Sequence, residues 1–239
     1  MTKIQAHRGA SGYAPQNTMA AFRKAVEMNS DGIELDIHLS KDGQIVVCHD
    51  STIDATSNGT GEISDMTYEE ILKYDFSNEY TQDSPQHAPL LKEVLELLKP
   101  TNMILNIEVK AFDAGVPAME LVKSMGMEKQ VLYSSFNHRC IRQMRELDPT
   151  IDAGLLYGDE PSEDMESYIK EYNATAVHPH YNNVNEKIID ICNRNGIKIR
   201  TWTVNGEDKM EEMIKFNIDT VITNYPDKAI EIRDSIQKQ

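Results

Sequence analysis

Two short segments place carboxylates and aliphatic residues in strict alternation. Residues 33–39 read Ile-Glu-Leu-Asp-Ile-His-Leu, and residues 105–110 read Leu-Asn-Ile-Glu-Val-Lys. A period of two is typical of a β-strand with two different faces. Three carboxylates on neighbouring polar faces would raise one another's pKa unless a cation lay among them, and oxygen ligands select a hard ion such as Mg²⁺ or Ca²⁺. Glu34, Asp36 and Glu108 are therefore the predicted ligands of one divalent cation.

An alternative is that these carboxylates only form salt bridges with Arg8 and Lys110. The same two cations could instead bind the oxygens of a phosphate, because a guanidinium grips such oxygens in pairs. His7 and His49 are a possible acid and base pair, since imidazole titrates near neutral pH. A metal, two cations and two histidines together predict displacement at phosphorus.

Further candidates follow later strand-like segments. Phe136 and Trp202 are predicted to contact substrate, although the tryptophan could equally belong to the core. Asn137 could be the N-cap of a helix. His178 and His180 could reach the same region, but we expect them to have structural roles.

These residues require a scaffold that brings distant segments together. Strand-like segments alternate with segments of helical period along most of the chain. Eight such repeats predict an α/β fold, a closed (β/α)8 TIM barrel with its working residues at the carboxyl ends of the strands. The predicted strands are 4–6, 33–37, 45–48, 104–108, 131–134, 152–156, 176–178, 198–202 and 220–222, and the predicted helices are 18–28, 91–99, 117–125, 138–147, 162–172, 186–194, 208–216 and 227–236.

One strand-like segment, 45–48, does not fit the eightfold pattern. The link from the preceding strand is too short for a parallel crossover, so we predict an antiparallel hairpin that turns at Asp42 and Gly43. A turn centred between positions 41 and 42 would place His49 opposite Glu34.

The polar stretch that follows is too long for a plain loop. Residues from about 50 to 88 are predicted to form a small insertion with one helical segment around 68–74, covering one end of the barrel. We see neither a linker nor a change of composition, and we therefore predict a single domain over residues 1–239.

Composition restricts the partners. The 239 residues include 24 Lys and Arg against 39 Asp and Glu, a formal net charge of −15, which should repel nucleic acid and anionic membrane surfaces. No apolar run is long enough to span a membrane, and no apolar leader begins the chain. Cys48, Cys140 and Cys192 are expected to be free thiols in a reducing compartment. We therefore expect a cytoplasmic protein without stable membrane insertion, a monomer or homodimer with a small-molecule substrate.

Short motifs run along nearly the whole chain. They are His-Arg-Gly at 7–9, Pro-Gln-Asn-Thr at 15–18, Glu-Leu-Asp at 34–36, Lys-Asp-Gly at 41–43, Val-Val-Cys-His-Asp at 46–50, Asn-Gly-Thr-Gly at 58–61, Pro-Leu-Leu-Lys-Glu-Val at 89–94, Glu-Val-Lys at 108–110, Ser-Phe at 135–136, Trp-Thr-Val-Asn at 202–205 and Thr-Asn-Tyr-Pro at 223–226. In this order they make the chain resemble the glycerophosphodiester phosphodiesterase family.

The resemblance implies a (β/α)8 barrel with a small insertion after the second strand. It also implies cleavage of a glycerophosphodiester, such as glycerophosphocholine or glycerophosphoethanolamine, to an alcohol and sn-glycerol 3-phosphate through a cyclic phosphate. It implies a divalent metal at Glu34, Asp36 and Glu108. It implies His7 and His49 as the acid and base, and Arg8 and Lys110 as the residues that bind the phosphate.

Three positions depart from the usual pattern of that family. Gln16 stands where Glu is usual, Asn224 where Asp is usual, and Ala55 where an arginine is frequent. These departures bear on metal affinity and substrate preference. Two alternatives remain open: a lysophospholipase D-type or other lipid phosphodiesterase on the same barrel, and a barrel that binds phosphodiesters without cleaving them.

Overall fold

The computed structural model of the protein describes residues 1–78, 80, 84–159 and 165–237. The strands are β1 (Lys3–His7), β2 (Gly32–Leu39), β3 (Ile45–Val47), β4 (Ile104–Val109), β5 (Val131–Ser135), β6 (Asp152–Tyr157), β7 (Ala176–Pro179), β8 (Lys198–Thr201) and β9 (Thr220–Thr223). The α-helices are α1 (Met19–Glu27), α2 (Tyr68–Ile71), α3 (Leu91–Leu98), α4 (Gly115–Ser124), α5 (His138–Leu147), α6 (Met165–Glu171), α7 (Glu186–Asn195), α8 (Glu207–Lys215) and α9 (Pro226–Gln237).

All strands except β3 form a closed parallel barrel in the described part of the chain. Going round the barrel, β1 pairs with β2, β2 with β4, and each later strand with the next until β9 pairs with β1. The predicted (β/α)8 barrel is therefore confirmed. The start of the predicted helix 162–172 lies partly outside the described residues, because α6 is described from Met165 onward.

β3 is the antiparallel partner that extends β2 beyond the barrel. Ile37 pairs with Val47, and Leu39 pairs with Ile45. The predicted hairpin is confirmed, but its register is one residue away from the prediction. These pairs are centred on position 42 rather than between 41 and 42, so the same register continued places His49 opposite Leu35 instead of Glu34.

The core explains why these strands alternate in residue type. Ile33, Leu35 and Ile37 of β2 are fully buried in the main hydrophobic cluster. α3 presents a row of buried apolar residues at helical spacing, Leu91, Val94, Leu95 and Leu98. Each such side chain contributes roughly 1.5–3 kcal/mol on burial. Because the aliphatic residues of β2 pack into this cluster, its alternate polar residues face the barrel interior.

The insertion between β3 and α3 has a smaller apolar cluster of its own. Cys48, Ile53, Ile63, Ile71 and Phe76 are buried there. The helical segment predicted at 68–74 is shorter in the structure, where α2 covers Tyr68–Ile71. None of the helices in the described ranges is both long and apolar enough to cross a bilayer.

Candidate active site

The carboxyl ends of β1, β2 and β4 meet at one sector of the barrel mouth. His7 lies in register with Glu34, and Asp36 lies in register with Glu108. Lys110 directly follows β4 in the chain. Parallel neighbours thus bring together residues that are far apart in sequence, because strands of one barrel share the same direction.

Three carboxylates at this sector form a compact acidic group. One oxygen atom from each of Glu34, Asp36 and Glu108 can be chosen so that all three lie within 4.8 Å of one another. All three residues are buried, and Oδ1 of Asp36 accepts no hydrogen bond within the described protein. A buried, unsatisfied carboxylate oxygen in an all-oxygen donor set fits a hard divalent cation.

Cations also surround this acidic group. Nε of Arg8 lies 3.3 Å from Oδ2 of Asp36. Nζ of Lys110 lies 2.7 Å from Oε1 of Glu108 and 3.5 Å from Oδ1 of Asp36. Asn17 donates a hydrogen bond of 2.8 Å to Oδ2 of Asp36. Arg8 and Lys110 therefore do form the salt bridges that the sequence offered as an alternative to a metal site. Oδ1 of Asp36 nevertheless accepts no hydrogen bond within the described protein.

The three carboxyl groups differ in pKa because their neighbours differ. Burial, then the charges of Asp36 and Glu108, raise the pKa of Glu34 well above its usual range. Burial and the charge of Asp36 raise the pKa of Glu108 to about 7. Burial also acts to raise the pKa of Asp36, but Arg8 and Lys110 outweigh it and hold that pKa below its usual range. Asp36 is therefore the carboxylate that stays ionised most firmly.

His7 is held by a residue from the opposite end of the chain. Its Nδ1 atom lies 2.7 Å from Oδ1 of Asn224, and its Nε2 atom lies 4.0 Å from Oε2 of Glu34. An amide carbonyl only accepts hydrogen bonds, so Nδ1 of His7 carries the proton and Nε2 is the free base. Burial, then the charge of Arg8, lower the pKa of His7 to about 3. The imidazole is thus neutral, with its basic nitrogen toward the carboxylates.

His49 has a corresponding arrangement on the other side of the acidic group. Its Nδ1 atom lies 2.6 Å from Oδ1 of Asp50, and Nζ of Lys110 lies 3.0 Å from its Nε2 atom. Burial lowers the pKa of His49, as does the charge of Arg8, although Asp36 acts in the opposite direction. Both imidazoles therefore have one nitrogen anchored by a neighbouring side chain and the other inside the site.

An aromatic pair stands beside Lys110. The rings of Phe136 and Trp202 contact edge to face with 5.4 Å between their centroids, and Nζ of Lys110 lies 5.8 Å from the centre of the Phe136 ring. Both rings line a cavity of about 60 Å³ together with His7, Arg8, Glu34, His49, Glu108 and Lys110. The sequence predicted the histidines, the charged residues and Phe136 for this site and left Trp202 open between the pocket and the core; the structure brings all of them to one cavity.

The weaker candidates do not line this cavity, although the ring of His180 contacts that of Trp202 edge to face with 5.4 Å between their centroids. The Asn137 side chain makes no capping hydrogen bond to α5, although the residue occupies the N-cap position. Nε2 of His178 lies 3.2 Å from Nη1 of the buried Arg200. Nδ1 of His180 accepts a hydrogen bond from the backbone N–H of Asn182. These contacts agree with the structural roles expected for the two histidines.

Sequence reasoning did not assign a role to three residues that orient the site. Asn17 hydrogen-bonds Asp36, Asp50 contacts His49, and Asn224 contacts His7. Each lies in a loop rather than on a strand, so strand periodicity could not identify it. The only available signal was that all three fall within the short motifs.

Comparison with known proteins defines the class. The model of the Glycerophosphoryl diester phosphodiesterase family matches residues 7–228. A glycerophosphodiester phosphodiesterase of Caldanaerobacter subterraneus subsp. tengcongensis is 38% identical over 237 residues, which cover 97% of each chain. One from Bacillus altitudinis is 35% identical and covers 99% of this chain and 100% of its own.

Solved structures agree with the sequence comparison. A phosphodiesterase of Oleispira antarctica, in complex with the product sn-glycerol-3-phosphate, superposes with a TM-score of 0.87 at 27% identity, covering 98% of this chain and 97% of that one. The barrel and the matches along its length define an enzyme, a phosphoric diester hydrolase. The chain belongs to the glycerophosphoryl diester phosphodiesterase family.

Proposed function

We propose that this enzyme hydrolyses glycerophosphodiesters, such as glycerophosphocholine or glycerophosphoethanolamine, to an alcohol and sn-glycerol 3-phosphate with the help of one divalent cation. The observation that carries the proposal is the buried acidic group between two anchored imidazoles. One carboxylate oxygen from each of Glu34, Asp36 and Glu108 lies within 4.8 Å of the other two, and His7 and His49 lie on either side of this group. A barrel that only bound phosphodiesters would not need two histidines with fixed tautomers.

The acidic group would hold Mg²⁺ or Ca²⁺ through Glu34, Asp36 and Glu108. These residues offer only oxygen atoms, which hard cations prefer. When bound, such a cation would polarise the phosphoryl group and offset the negative charge that develops on its oxygens.

Two cations of the chain would bind the phosphate. Burial acts to lower the pKa of Lys110, but Asp36 and Glu108 outweigh it and raise that pKa, so the side chain stays protonated. Arg8 lies on the other side of Asp36. A phosphate that bridges Arg8 and Lys110 would exchange part of their salt bridges for charge-assisted hydrogen bonds.

The two imidazoles would share the proton transfers. One imidazole, in its neutral form, would accept the proton of the glycerol hydroxyl that attacks phosphorus. The other, having first taken a proton from solvent, would donate that proton to the departing alcohol oxygen. Water then opens the cyclic phosphate with the roles exchanged. Asn224 and Asp50 would keep the Nε2 atom of each ring aimed at the site, since each of them accepts a hydrogen bond from Nδ1.

A product assay tests the proposal. The purified enzyme is incubated with glycerophosphocholine, and the phosphorus products are identified by ³¹P NMR against authentic sn-glycerol 3-phosphate. We expect that monoester from the wild type and a loss of at least about 100-fold in His7→Ala, the lower range for removal of a general acid or base. Undiminished activity of His7→Ala, or a different phosphorus product, would reject the proposal.

Three further properties remain predictions from the sequence. They are a cytoplasmic location, a monomeric or homodimeric state, and a single domain over residues 1–239 with an insertion at about 50–88.

A further inference from the structure

A second cavity adjoins the candidate active site. It has a volume of about 290 Å³, against about 60 Å³ for the cavity beside Phe136 and Trp202. The two cavities share His7 and Arg8 in their walls. A phosphate bound at Arg8 would therefore have one cavity on each side, and the two esters of a phosphodiester would extend into different cavities.

Size indicates which ester belongs in which cavity. One water requires about 10–15 Å³ of such a cavity, so the smaller one has room for only a few heavy atoms. It suits the three-carbon glycerol unit that all glycerophosphodiesters share. The larger cavity is built partly by the insertion, through Thr56, Phe76, Asn78 and Tyr80. The variable alcohol would then lie against the insertion.

The walls of the larger cavity are mainly amide and hydroxyl groups. Gln16, Asn78 and Asn224 contribute amides, and Ser11 and Thr56 contribute hydroxyls. None of its described lining residues is acidic. Amides and hydroxyls both donate and accept hydrogen bonds, which matches a polyol. Phe76 and Tyr80 also line the cavity, but Phe76 is only 5% exposed and the hydroxyl of Tyr80 donates to the carbonyl oxygen of Ser11. The methyl groups of a quaternary ammonium would therefore face mainly amides and hydroxyls and would leave them without partners, at a cost in binding.

Charge acts in the same direction. Arg8 is held at the boundary between the cavities, with its Nη1 donating to Oε1 of Gln16 and its Nε near Asp36. A cationic headgroup in the larger cavity would lie close to this guanidinium, which lines the cavity wall. The repulsion is strongest where protein excludes water between the charges.

We propose that the larger cavity is the subsite for the departing alcohol, and that it selects uncharged, hydroxyl-bearing alcohols such as glycerol over cationic ones such as choline. The inference rests on the proposed function and adds to it the chemistry of the preferred headgroup.

A charge substitution in the cavity wall tests the subsite. Asn78 is exposed, has a positive φ of 48° that Asp also tolerates, and touches neither histidine nor the acidic group. Asn78→Asp would place a carboxylate in the wall without touching the reacting groups. Asn182→Asp is the matched control, because it adds the same charge at an exposed position that lines neither cavity.

The readout is kcat/KM for glycerophosphoglycerol and for glycerophosphocholine, with each protein at low ionic strength. We expect the wild type and Asn182→Asp to prefer glycerophosphoglycerol. Asn78→Asp should shift the ratio toward glycerophosphocholine by about two- to fivefold, the range of partly exposed charge pairs, and added salt should reduce the shift.

The outcomes separate this inference from the proposed function. If neither substrate releases glycerol phosphate, the proposed function is wrong. If both are cleaved but the wild type prefers glycerophosphocholine, or if Asn78→Asp leaves the ratio where Asn182→Asp leaves it, the subsite assignment is wrong while the proposed function stands.

Discussion

Nδ1 of His7 lies 2.7 Å from Oδ1 of Asn224, a residue 217 positions further along the chain. Closure of the barrel makes this contact possible, because β1 and β9 are neighbours. The loop that carries Asn224 is fixed on both sides: its backbone N–H donates to Oδ1 of Asn205, and its carbonyl oxygen accepts from the N–H of Gly12. The orientation of His7 is thus fixed at the seam of the barrel, where the first strand, β1, pairs with the last strand, β9.

Removal of this acceptor should disable His7 without removing it. We expect Asn224→Ala to lower kcat by about 10–100-fold, the usual effect of losing a partner that orients a functional histidine. ¹⁵N NMR of the imidazole should show the proton on Nδ1 in the wild type and spread over both nitrogens in the variant. Asn224→Asp keeps an acceptor and should keep the wild-type tautomer. An unchanged tautomer in Asn224→Ala would contradict the assignment.

Glu34 should oppose folding when no divalent cation is bound. Its pKa is raised in the folded protein, chiefly by burial, so its ionisation costs stability as the pH rises above the value of an unfolded glutamate. At pH 8 with a chelator, Glu34→Gln should therefore unfold at a higher urea concentration than the wild type. Its free energy of unfolding should be larger by about 1 kcal/mol or more. The Gln side chain still offers an acceptor to the Arg8 N–H that Glu34 binds.

Addition of Mg²⁺ should reverse this order of stability. A ligand at 100 times its Kd stabilises the folded state by about 2.7 kcal/mol, and only the wild type should gain it. Glu120→Gln, at an exposed position, serves as the control for loss of one charge and should behave as the wild type. If Glu34→Gln is more stable than the wild type both with and without Mg²⁺, Glu34 is not a ligand of the cation.

Asp152 should stabilise the opposite end of the barrel in a pH-dependent way. Its Oδ2 lies 2.6 Å from both Nη2 of Arg200 and Nζ of Lys198. Burial acts to raise the pKa of Asp152, but Arg200 outweighs it and the pKa falls well below its usual range. A carboxyl with a lowered pKa stabilises the fold above about pH 4, its unfolded value, and that contribution is lost as the pH falls through the folded value.

Arg200 is almost fully buried, so Asp152→Asn would leave a buried charge without its partner. Urea unfolding at pH 7 should show that the free energy of unfolding of Asp152→Asn is lower than that of the wild type by roughly 3 kcal/mol. This difference in the free energy of unfolding should become smaller below about pH 3. Lys198→Met should cost less than about 1 kcal/mol, since half of that lysine side chain is exposed. Equal losses in the two variants would contradict this account of the pair.

The sequence predicted the parts of this protein that depend on local periodicity. The alternation at 33–39 and 105–110 identified β2 and β4, and the short link before 45–48 identified the hairpin. The register error of one residue arose because a turn sequence does not fix the centre of the turn. Contacts such as His7 with Asn224 depend on loops at the barrel seam, which no local pattern determines.

The departures at positions 16 and 224 acquire a physical meaning only in the structure. Oε1 of Gln16 accepts from Arg8, and Oδ1 of Asn224 contacts His7. Both amides line the larger cavity. No feature of the described structure gives Ala55 a comparable role.

The central claim is that a divalent cation at Glu34, Asp36 and Glu108 enables hydrolysis. The most direct measurement is the rate of sn-glycerol 3-phosphate release from a glycerophosphodiester by chelator-treated enzyme, followed by titration with Mg²⁺ or Ca²⁺. We predict no release above background in chelator and full recovery at one equivalent of bound cation. Release at an undiminished rate in the presence of chelator would contradict the claim.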